Sequence, residues 1–401
     1  MIRNRFLGSI LLITGTCVGA GMLGLPISTS PLGLGLSLLV IIAVWALMCF
    51  TGLLVLEVTL WFKEDVSYIS MADKTLGSWG RRITWATFLL LLYALMVAYF
   101  MAGNALLGNV LQSVFGVQAP LWAGIVPWVV VLGLLIVAGA HAVDVTNKLL
   151  MIGLCLAFAA MAAVIVPHIH THINTDMHPR FIIASLPVVL TSFGYHIIIP
   201  TVSAYVKRDV RALRKIIIIG SVLPLLVYIL WQWLVFSLLP QTGEHSLQAI
   251  LNSGDAAGEL TEALSFFAGS TMVSLALRFF IFFAVATSFI GVSMGLFDLL
   301  LDGLSMKGRS VSRLSVASLT IFPPIIFVLY YPQGFLMALG YGGVFVAILH
   351  GILPALMAWR GRPHHSARFY QVVGGRLALA LVILFSLVVI YAQVAATLCL
   401  Q

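Results

Sequence analysis

The sequence predicts an all-α polytopic membrane protein with eleven transmembrane helices in a single domain. Three observations predict it: 61% of the 401 residues are hydrophobic, only 8% are charged, and long apolar stretches recur along the whole chain. A soluble domain has about 25% charged residues, whereas a helix that crosses a bilayer needs ~20 consecutive, predominantly apolar residues. The composition therefore excludes a soluble globular enzyme.

The predicted spans follow one another with short polar connections. They are numbered 1 to 11 and cover residues 6–27, 33–60, 83–112, 121–140, 147–166, 181–204, 214–239, 267–297, 312–331, 334–358 and 373–397.

The Lys and Arg residues predict the orientation, because positive side chains near helix ends resist translocation. With a cytoplasmic N-terminus, all of the 21 Lys and Arg residues except Arg180 and Arg278 lie on the cytoplasmic side. An odd number of spans then places the C-terminus outside. This asymmetry explains the net charge of +8, and the sequence contains no basic face with interleaved aromatic residues that would predict a nucleic-acid partner.

Cysteines and loops predict no cofactor and no firm metal site. The four cysteines lie in apolar stretches without the spacing of a disulfide framework or a zinc site. An acidic outer loop over about 240–266 is expected to form a short amphipathic cap over the bundle. In another outer loop, His168, His170 and His172 alternate, so metal binding is an alternative there to a plain polar loop.

Two spans contain residues that disfavour a continuous helix. The segment Thr14–Pro26 of span 1 combines several glycines with a proline, and the segment Thr191–His196 of span 6 lies between Pro187 and Pro200. Glycine and proline are the poorest helix formers. The two segments lie at similar depths in spans that enter the membrane from opposite sides, which predicts two matching helix breaks.

Matching breaks predict that spans 1–5 and 6–10 are inverted repeats with a binding site between them near the midplane. The repeats cover about 6–166 and 181–358, and an extra helix covers about 373–397. The alternative is plain small-residue packing at Gly15 and Gly19 with a simple kink at Pro200.

Broken helices at the midplane suit a zwitterionic substrate. The amides around Gly21 and Met22 would begin the outer half of span 1, where the positive end of the helix dipole binds a carboxylate. The carbonyls near Thr191–Phe193 would end the first half of span 6 and accept an ammonium group. An α-amino acid carries both groups.

Two enzyme-like motifs occur in the wrong context. The GxGxxG match at Gly19–Gly24 follows no strand, and the GxSxG match at Gly291–Gly295 lies within a membrane span. We therefore predict no catalytic residues.

Four stretches resemble the hydroxy/aromatic amino acid permease family, most strongly its tyrosine-specific members. The resemblance covers nearly the whole chain and implies the leucine-transporter fold, a bacterial inner membrane and proton-driven uptake of an aromatic amino acid. The family motif TSFGFH reads TSFGYH here, so that Tyr195 either alters substrate preference or only packs. The stretches are GTCVGAGMLGLP (Gly15–Pro26), WALMCFTGLLVLEV (Trp45–Val58), TSFGYH (Thr191–His196) and ATSFIGVSMGLFD (Ala286–Asp298).

The substrate site is predicted at the two breaks and on span 3, which lines the site in this fold. The candidate residues are Thr16, Gly19, Ala20, Gly21, Met22, Tyr93, Tyr99, Asn104, Ser192, Phe193, Gly194, Tyr195 and His196.

Candidates for ion coupling form two groups. Ionisable residues within membrane spans are functional candidates, and Glu57, His196 and Arg278 stand out. For Glu57 the alternative is an ion pair with Lys63 or a loop arginine, and for His196 it is a purely structural role. Sodium-coupled relatives of the fold use an A-x-x-T-S pattern opposite the broken first helix, which here corresponds to Ala284, Thr287 and Ser288 opposite Gly15 and Val18.

The sequence thus predicts a secondary active importer of aromatic amino acids, with tyrosine as the first substrate. Protons are the expected coupling ion and sodium is the alternative, and no cofactor or bound metal is expected. Spans 1, 2, 6 and 7 are expected to rock against the remainder. A broader neutral amino acid transporter, a passive channel, an exchanger and a ligand sensor remain alternatives. The expected partners are the substrate and the lipid bilayer, with no obligatory protein partner.

Overall fold

The computed structural model describes residues 2–62, 66–116, 120–138, 140–168, 177–269, 271–305, 312–331, 334–365 and 370–399. Within these ranges the regular secondary structure is helical, without strands. The α-helices are α1 (Ile2–Cys17), α2 (Ala20–Ser28), α3 (Gly33–Trp61), α4 (Tyr68–Leu76), α5 (Ser78–Phe115), α6 (Leu121–Ala138), α7 (Ala140–Ile165), α8 (Ile182–Thr191), α9 (Ile199–Tyr205), α10 (Val210–Leu238), α11 (Leu247–Leu251), α12 (Ala256–Ala268), α13 (Thr271–Ser305), α14 (Arg313–Tyr330), α15 (Phe335–Val346), α16 (Leu353–Gly361) and α17 (Gly375–Cys399). A π-helical turn, Ala347–Ile352, joins α15 to α16.

The predicted class of multi-pass helical membrane protein is confirmed. Among the described residues, nine helical segments are long and apolar enough to cross a membrane. Two shorter apolar helices, Arg5–Cys17 and Trp122–Ile136, overlap predicted spans 1 and 4. The count of eleven spans and the inverted-repeat layout stay predictions.

Several helices begin or end away from the predicted limits. Helix α5 begins at Ser78 and α7 at Ala140, both before the apolar run that defined the span. A short helix outside the predicted spans, α4, is capped by Ser67, which accepts a hydrogen bond from the Ser70 N–H. The cap predicted over 240–266 is present as α11 and α12, and Asp255 caps the start of α12.

The outer faces of the bundle are apolar, as a lipid environment requires. On α17, for example, Leu381 and Leu384 are exposed, whereas Leu379 and Val382 are buried against the bundle. Exposed leucines on one face and buried ones on the other indicate that this helix borders lipid on one side.

Helix packing brings the two predicted breaks together in the interior. Helix α2 packs against α8, and α10 packs against α1, α2 and α3. Helix α13 packs against α5 and α7, and α15 packs against α5 and α8. The breaks are therefore surrounded by α5, α10 and α13, the helices that supply their side-chain neighbours.

Candidate functional site

The first break separates α1 from α2 at Val18 and Gly19. Gly19 has an extended backbone at the N-cap of α2, and no side chain caps this end. The first amides of a helix have no partner within the helix. At the start of α2 the Met22 N–H donates to the Gly19 carbonyl at 3.0 Å, so the amides of Ala20 and Gly21 are the ones that suit an anion. The break that the glycine-rich stretch predicts is therefore present.

The second break separates α8 from α9. Helix α8 ends at Thr191, a turn follows, and His196–Ile198 form a 3₁₀ turn before α9 begins at Ile199. Pro200 lies in the first turn of α9, where its missing N–H costs nothing. The carbonyl end of α8 thus lies in the interior at Ser192.

The two breaks touch each other directly. A Cβ atom on Gly21 would lie 2.7 Å from Ser192 Oγ and 3.1 Å from Ser192 Cα. A Cβ on Gly19 would overlap the Ser288 side chain and lie 3.3 Å from the Tyr99 hydroxyl. Glycine is required at both positions because α8, α13 and α5 approach the backbone so closely.

Helix α10 connects the breaks through two fully buried side chains, Tyr228 and Trp231. The Tyr228 hydroxyl lies 2.6 Å from the Cys17 carbonyl and 2.8 Å from the Ser192 carbonyl, so it can donate to either. Trp231 Nε1 donates to the Met22 carbonyl at 2.9 Å. Neither residue is among the predicted site residues, although two aromatic side chains with polar groups, three residues apart, were a usable signal.

The aromatic residues of the second break are buried. Phe193 packs edge-on against Tyr228 with ring centroids 5.2 Å apart. The Tyr195 hydroxyl donates to the Met48 carbonyl at 3.2 Å, and its ring packs on Gly52 of α3. Tyr195 therefore points toward α3 and away from the contact between the breaks.

His196 lies in a second polar cluster beside the break. Its Nε2 is 2.8 Å from Thr51 Oγ1, and its ring stacks on His350 with centroids 4.3 Å apart. Gly194 lies near this cluster, since a Cβ there would be 3.8 Å from His350 Cε1. His350 is not among the predicted site residues, although an ionisable residue within span 10 was a signal of the same kind as His196.

The proposed sodium ligands are only partly assembled. Ser288 Oγ donates to the Val18 carbonyl at 3.1 Å, joining α13 to the first break. Thr287 donates within its own helix, to the carbonyls of Phe283 and Ala284. Gly15 packs instead against Met151 of α7.

Three of the predicted substrate residues lie away from the contact between the breaks. Thr16 is exposed and donates to the Leu12 carbonyl. Tyr93 donates to the Leu319 carbonyl at 2.8 Å, and Asn104 packs on Gly124 of α6. Of the candidates on α5, Tyr99 alone is brought to Gly19.

The remaining ionisable candidates also lie apart from the breaks. Glu57 is 1% exposed and forms an ion pair with Arg362. An ion pair with a loop arginine was the alternative to a coupling role for Glu57. Arg278 lines a cavity of about 480 Å³ between α5, α6 and α13, together with Trp128 and Phe282. Of the histidine-rich loop, His170 and His172 lie outside the described residues, as does the His168 side chain.

Comparisons with known proteins identify the family of the chain. The chain matches the model of the tryptophan/tyrosine permease family over residues 2–393. It is 34% identical to tyrosine-specific transport system 1 of Haemophilus influenzae over 389 residues, 96% of each chain. It is 35% identical to tyrosine-specific transport system 2 of the same organism over 97% of this chain and 96% of the relative. A tryptophan-specific transport protein of that organism is 32% identical over 99% and 98% of the two chains.

Solved structures give the same fold class. A manganese transporter of Eremococcus coleocola superposes with a TM-score of 0.64 at 16% identity, covering 98% of this chain and 86% of that chain. At this identity the likeness concerns the fold alone.

The helical fold, the facing breaks and the relatives together define a multi-pass membrane permease for aromatic amino acids, and not an enzyme. Within that class, the chain belongs to the tryptophan/tyrosine permease family. The resemblance derived from the sequence motifs is therefore confirmed.

Proposed function

We propose that this permease imports aromatic amino acids, tyrosine first, and binds them at the two helix breaks. The observation that carries the proposal is the contact between Gly21 and Ser192, with Tyr228 placed on the carbonyls of both breaks. The amides at the start of α2 suit the substrate carboxylate, and the carbonyl end of α8 suits its ammonium group. The names of the two tyrosine-specific relatives support tyrosine as the first substrate.

We propose alternating access, because the breaks pack too closely to admit a substrate between them. Between Gly21 and Ser192 there is no room for even a methyl group, so this contact must open by a conformational change before a substrate can bind beside it. We propose that α1, α2, α3, α8, α9 and α10 move together against the remaining helices. Such a rigid-body motion around a fixed site is the usual behaviour of transporters with broken helices.

Protons are the proposed coupling ion, in a bacterial inner membrane with the N-terminus in the cytoplasm and the C-terminus in the periplasm. One proton moving down a potential of 100 mV releases ~2.3 kcal/mol, enough for roughly 40-fold accumulation. Sodium is the second candidate, because the Ser288 hydroxyl and the Val18 carbonyl, both oxygen ligands, lie 3.1 Å apart beside the first break.

Uptake of labelled tyrosine into proteoliposomes, with an imposed pH gradient and no sodium, tests this function. We expect accumulation of labelled tyrosine that a protonophore abolishes. Unlabelled tyrosine should inhibit it more strongly than phenylalanine, tryptophan or leucine does. Accumulation only after sodium is added would replace the proton by sodium. Equal competition by leucine would point to a broader neutral amino acid transporter. Equilibration without accumulation under either gradient would indicate a channel or exchanger, and binding without flux would indicate a sensor.

A further inference from the structure

Two histidine rings are stacked in the interior beside the second break. The centroids of His196 and His350 are 4.3 Å apart, the ring planes differ by 11°, and both side chains are fully buried. His196 follows the end of α8, whereas His350 belongs to the π-helical turn Ala347–Ile352. Such turns are rare within α-helices and are frequent at functional sites. The stack therefore links the broken helix to a helix outside the set proposed to move.

Most nitrogens of this histidine pair have no hydrogen-bond partner. His196 Nε2 is 2.8 Å from Thr51 Oγ1. In the part of the chain that the structure describes, His196 Nδ1 and both nitrogens of His350 lack a partner. A buried polar atom without a partner costs free energy and is rare in folded proteins. Since a neutral imidazole keeps a lone pair on one nitrogen, the pair has room for an added proton.

Among the residues that the structure describes, the groups that face the pair add no unpaired charge. Tyr195 stacks on His196 and Tyr68 lies edge-on to His350. Their hydroxyls donate to backbone carbonyls of α3 and of the π-helical turn. The carboxylate of α3, Glu57, is bound by an arginine. Helices α17 and α5 also pack against this turn. Helix α17 places Ser386 beside Gly351. The tyrosines of α5 point elsewhere, Tyr93 to Leu319 and Tyr99 to Gly19.

We propose that the His196–His350 pair binds the co-transported proton, one per transport cycle; this inference rests on the proposed proton-coupled import. The proton from the outer solution adds to the lone pair of an imidazole nitrogen, forms an imidazolium and leaves on the inner side, which restores the neutral ring. Two imidazolium rings at this distance would repel each other, so the pair holds one proton. Because His196 is only a few residues from Ser192, a change in the stack reaches the substrate-binding break directly.

The test uses His350→Phe, which keeps a flat ring for stacking and removes both nitrogens. In proteoliposomes we expect the wild type to accumulate tyrosine under a pH gradient, up to roughly 40-fold per 100 mV for one proton, and the variant to reach only equilibration. Tyrosine counterflow at equal pH needs binding and the conformational change but no net proton transfer, so the variant should retain it. A pH-sensitive dye inside the vesicles should record tyrosine-dependent acidification for the wild type only.

The matched control is His365→Phe, the same substitution at an exposed histidine that stacks on Trp61 with centroids 5.0 Å apart. We expect wild-type accumulation there. If His350→Phe does not fold, His350→Gln replaces it, since an amide side chain cannot take up the proton either.

The transport results distinguish a failure of the proton site from a failure of the proposed function. A wild type that does not accumulate tyrosine under a pH gradient overturns the proposed function. If the wild type accumulates tyrosine and both His350→Phe and His350→Gln still couple this uptake fully to the pH gradient, only the proton site is overturned. If both variants fold but lose counterflow as well as accumulation, His350 has a structural role, and the proposal is also overturned.

Discussion

The carboxylate of Glu57 and the guanidinium of Arg362 form a bidentate ion pair, with Nε to Oε1 at 2.8 Å and Nη2 to Oε2 at 2.9 Å. Glu57 also accepts a hydrogen bond from the Val372 N–H at 2.8 Å. Arg362 in turn donates to the carbonyls of Val372 and Gly375. The pair therefore fastens the end of α3 to the start of α17, between the helices proposed to move and those proposed to stay.

Removing one partner of this pair should destabilise the protein strongly. Arg362→Ala leaves the buried carboxyl group of Glu57 without its counterion, for which we expect a loss of about 3–5 kcal/mol in the free energy of unfolding. Thermal unfolding in detergent measures it. The double variant Glu57→Gln/Arg362→Met should recover much of the loss, since it leaves no buried charge.

The matched control for the ion pair is Lys148→Ala. Its pair with Asp144 is solvent-exposed, with side chains 70% and 57% exposed, so we expect less than about 1 kcal/mol. Equal losses for Arg362→Ala and Lys148→Ala would contradict a stabilising role of the buried pair.

Substitution of Gly21 should block transport while leaving the protein folded. In Gly21→Ala the new methyl group meets Ser192 at the end of α8, and overpacking of this kind costs ~1–3 kcal/mol, which predicts a loss of uptake of roughly 5-fold to 100-fold. Gly21→Leu should abolish uptake. The control is Gly8→Ala in α1, where no atom lies within 4 Å of the added Cβ. If Gly21→Leu takes up tyrosine into proteoliposomes as well as the wild type does, Gly21 is not part of the substrate site.

Loss of the Tyr228 hydroxyl should weaken the connection between the breaks. Tyr228→Phe leaves the carbonyls of Cys17 and Ser192 without this donor, and a hydrogen bond of this type contributes ~1 kcal/mol. We expect the KM for tyrosine to rise about 5-fold. Tyr391→Phe, at a residue 70% exposed on α17, should leave KM unchanged. The same KM for both variants would make the Tyr228 hydroxyl dispensable.

The breaks could be predicted from the sequence because local residue types decide them. Gly19 and Pro200 disfavour a continuous helix whatever surrounds them, and α2 and α9 begin beside them. The partners of the breaks depend on which face of another helix is turned toward them. Tyr93 and Tyr99 both lie on α5, yet only Tyr99 faces Gly19.

Pairs of residues far apart in the chain could not be predicted from the sequence, because they too depend on how the helices pack. His350 comes from a π-helical turn, and its stacking on His196 depends on that local widening of the helix together with tertiary packing. Tyr228 is one aromatic residue among several in an apolar span until α10 is packed against both breaks. The short helix α4 was missed because it has only nine residues and no apolar run of membrane length.

Substitution of Tyr195 tests whether its hydroxyl selects the substrate. The hydroxyl donates to the Met48 carbonyl and the ring packs on Gly52 of α3, so Tyr195→Phe should leave the preference for tyrosine over phenylalanine unchanged. The hydrogen bond is long at 3.2 Å, and its loss should cost at most about 1 kcal/mol of stability. Competition of labelled tyrosine uptake by unlabelled phenylalanine, compared between the variant and the wild type, measures the preference. A shift of about 10-fold toward phenylalanine would correspond to ~1.4 kcal/mol of lost discrimination. Such a shift would show that the hydroxyl contacts the substrate in another conformation of the transport cycle, because in the structure it faces α3.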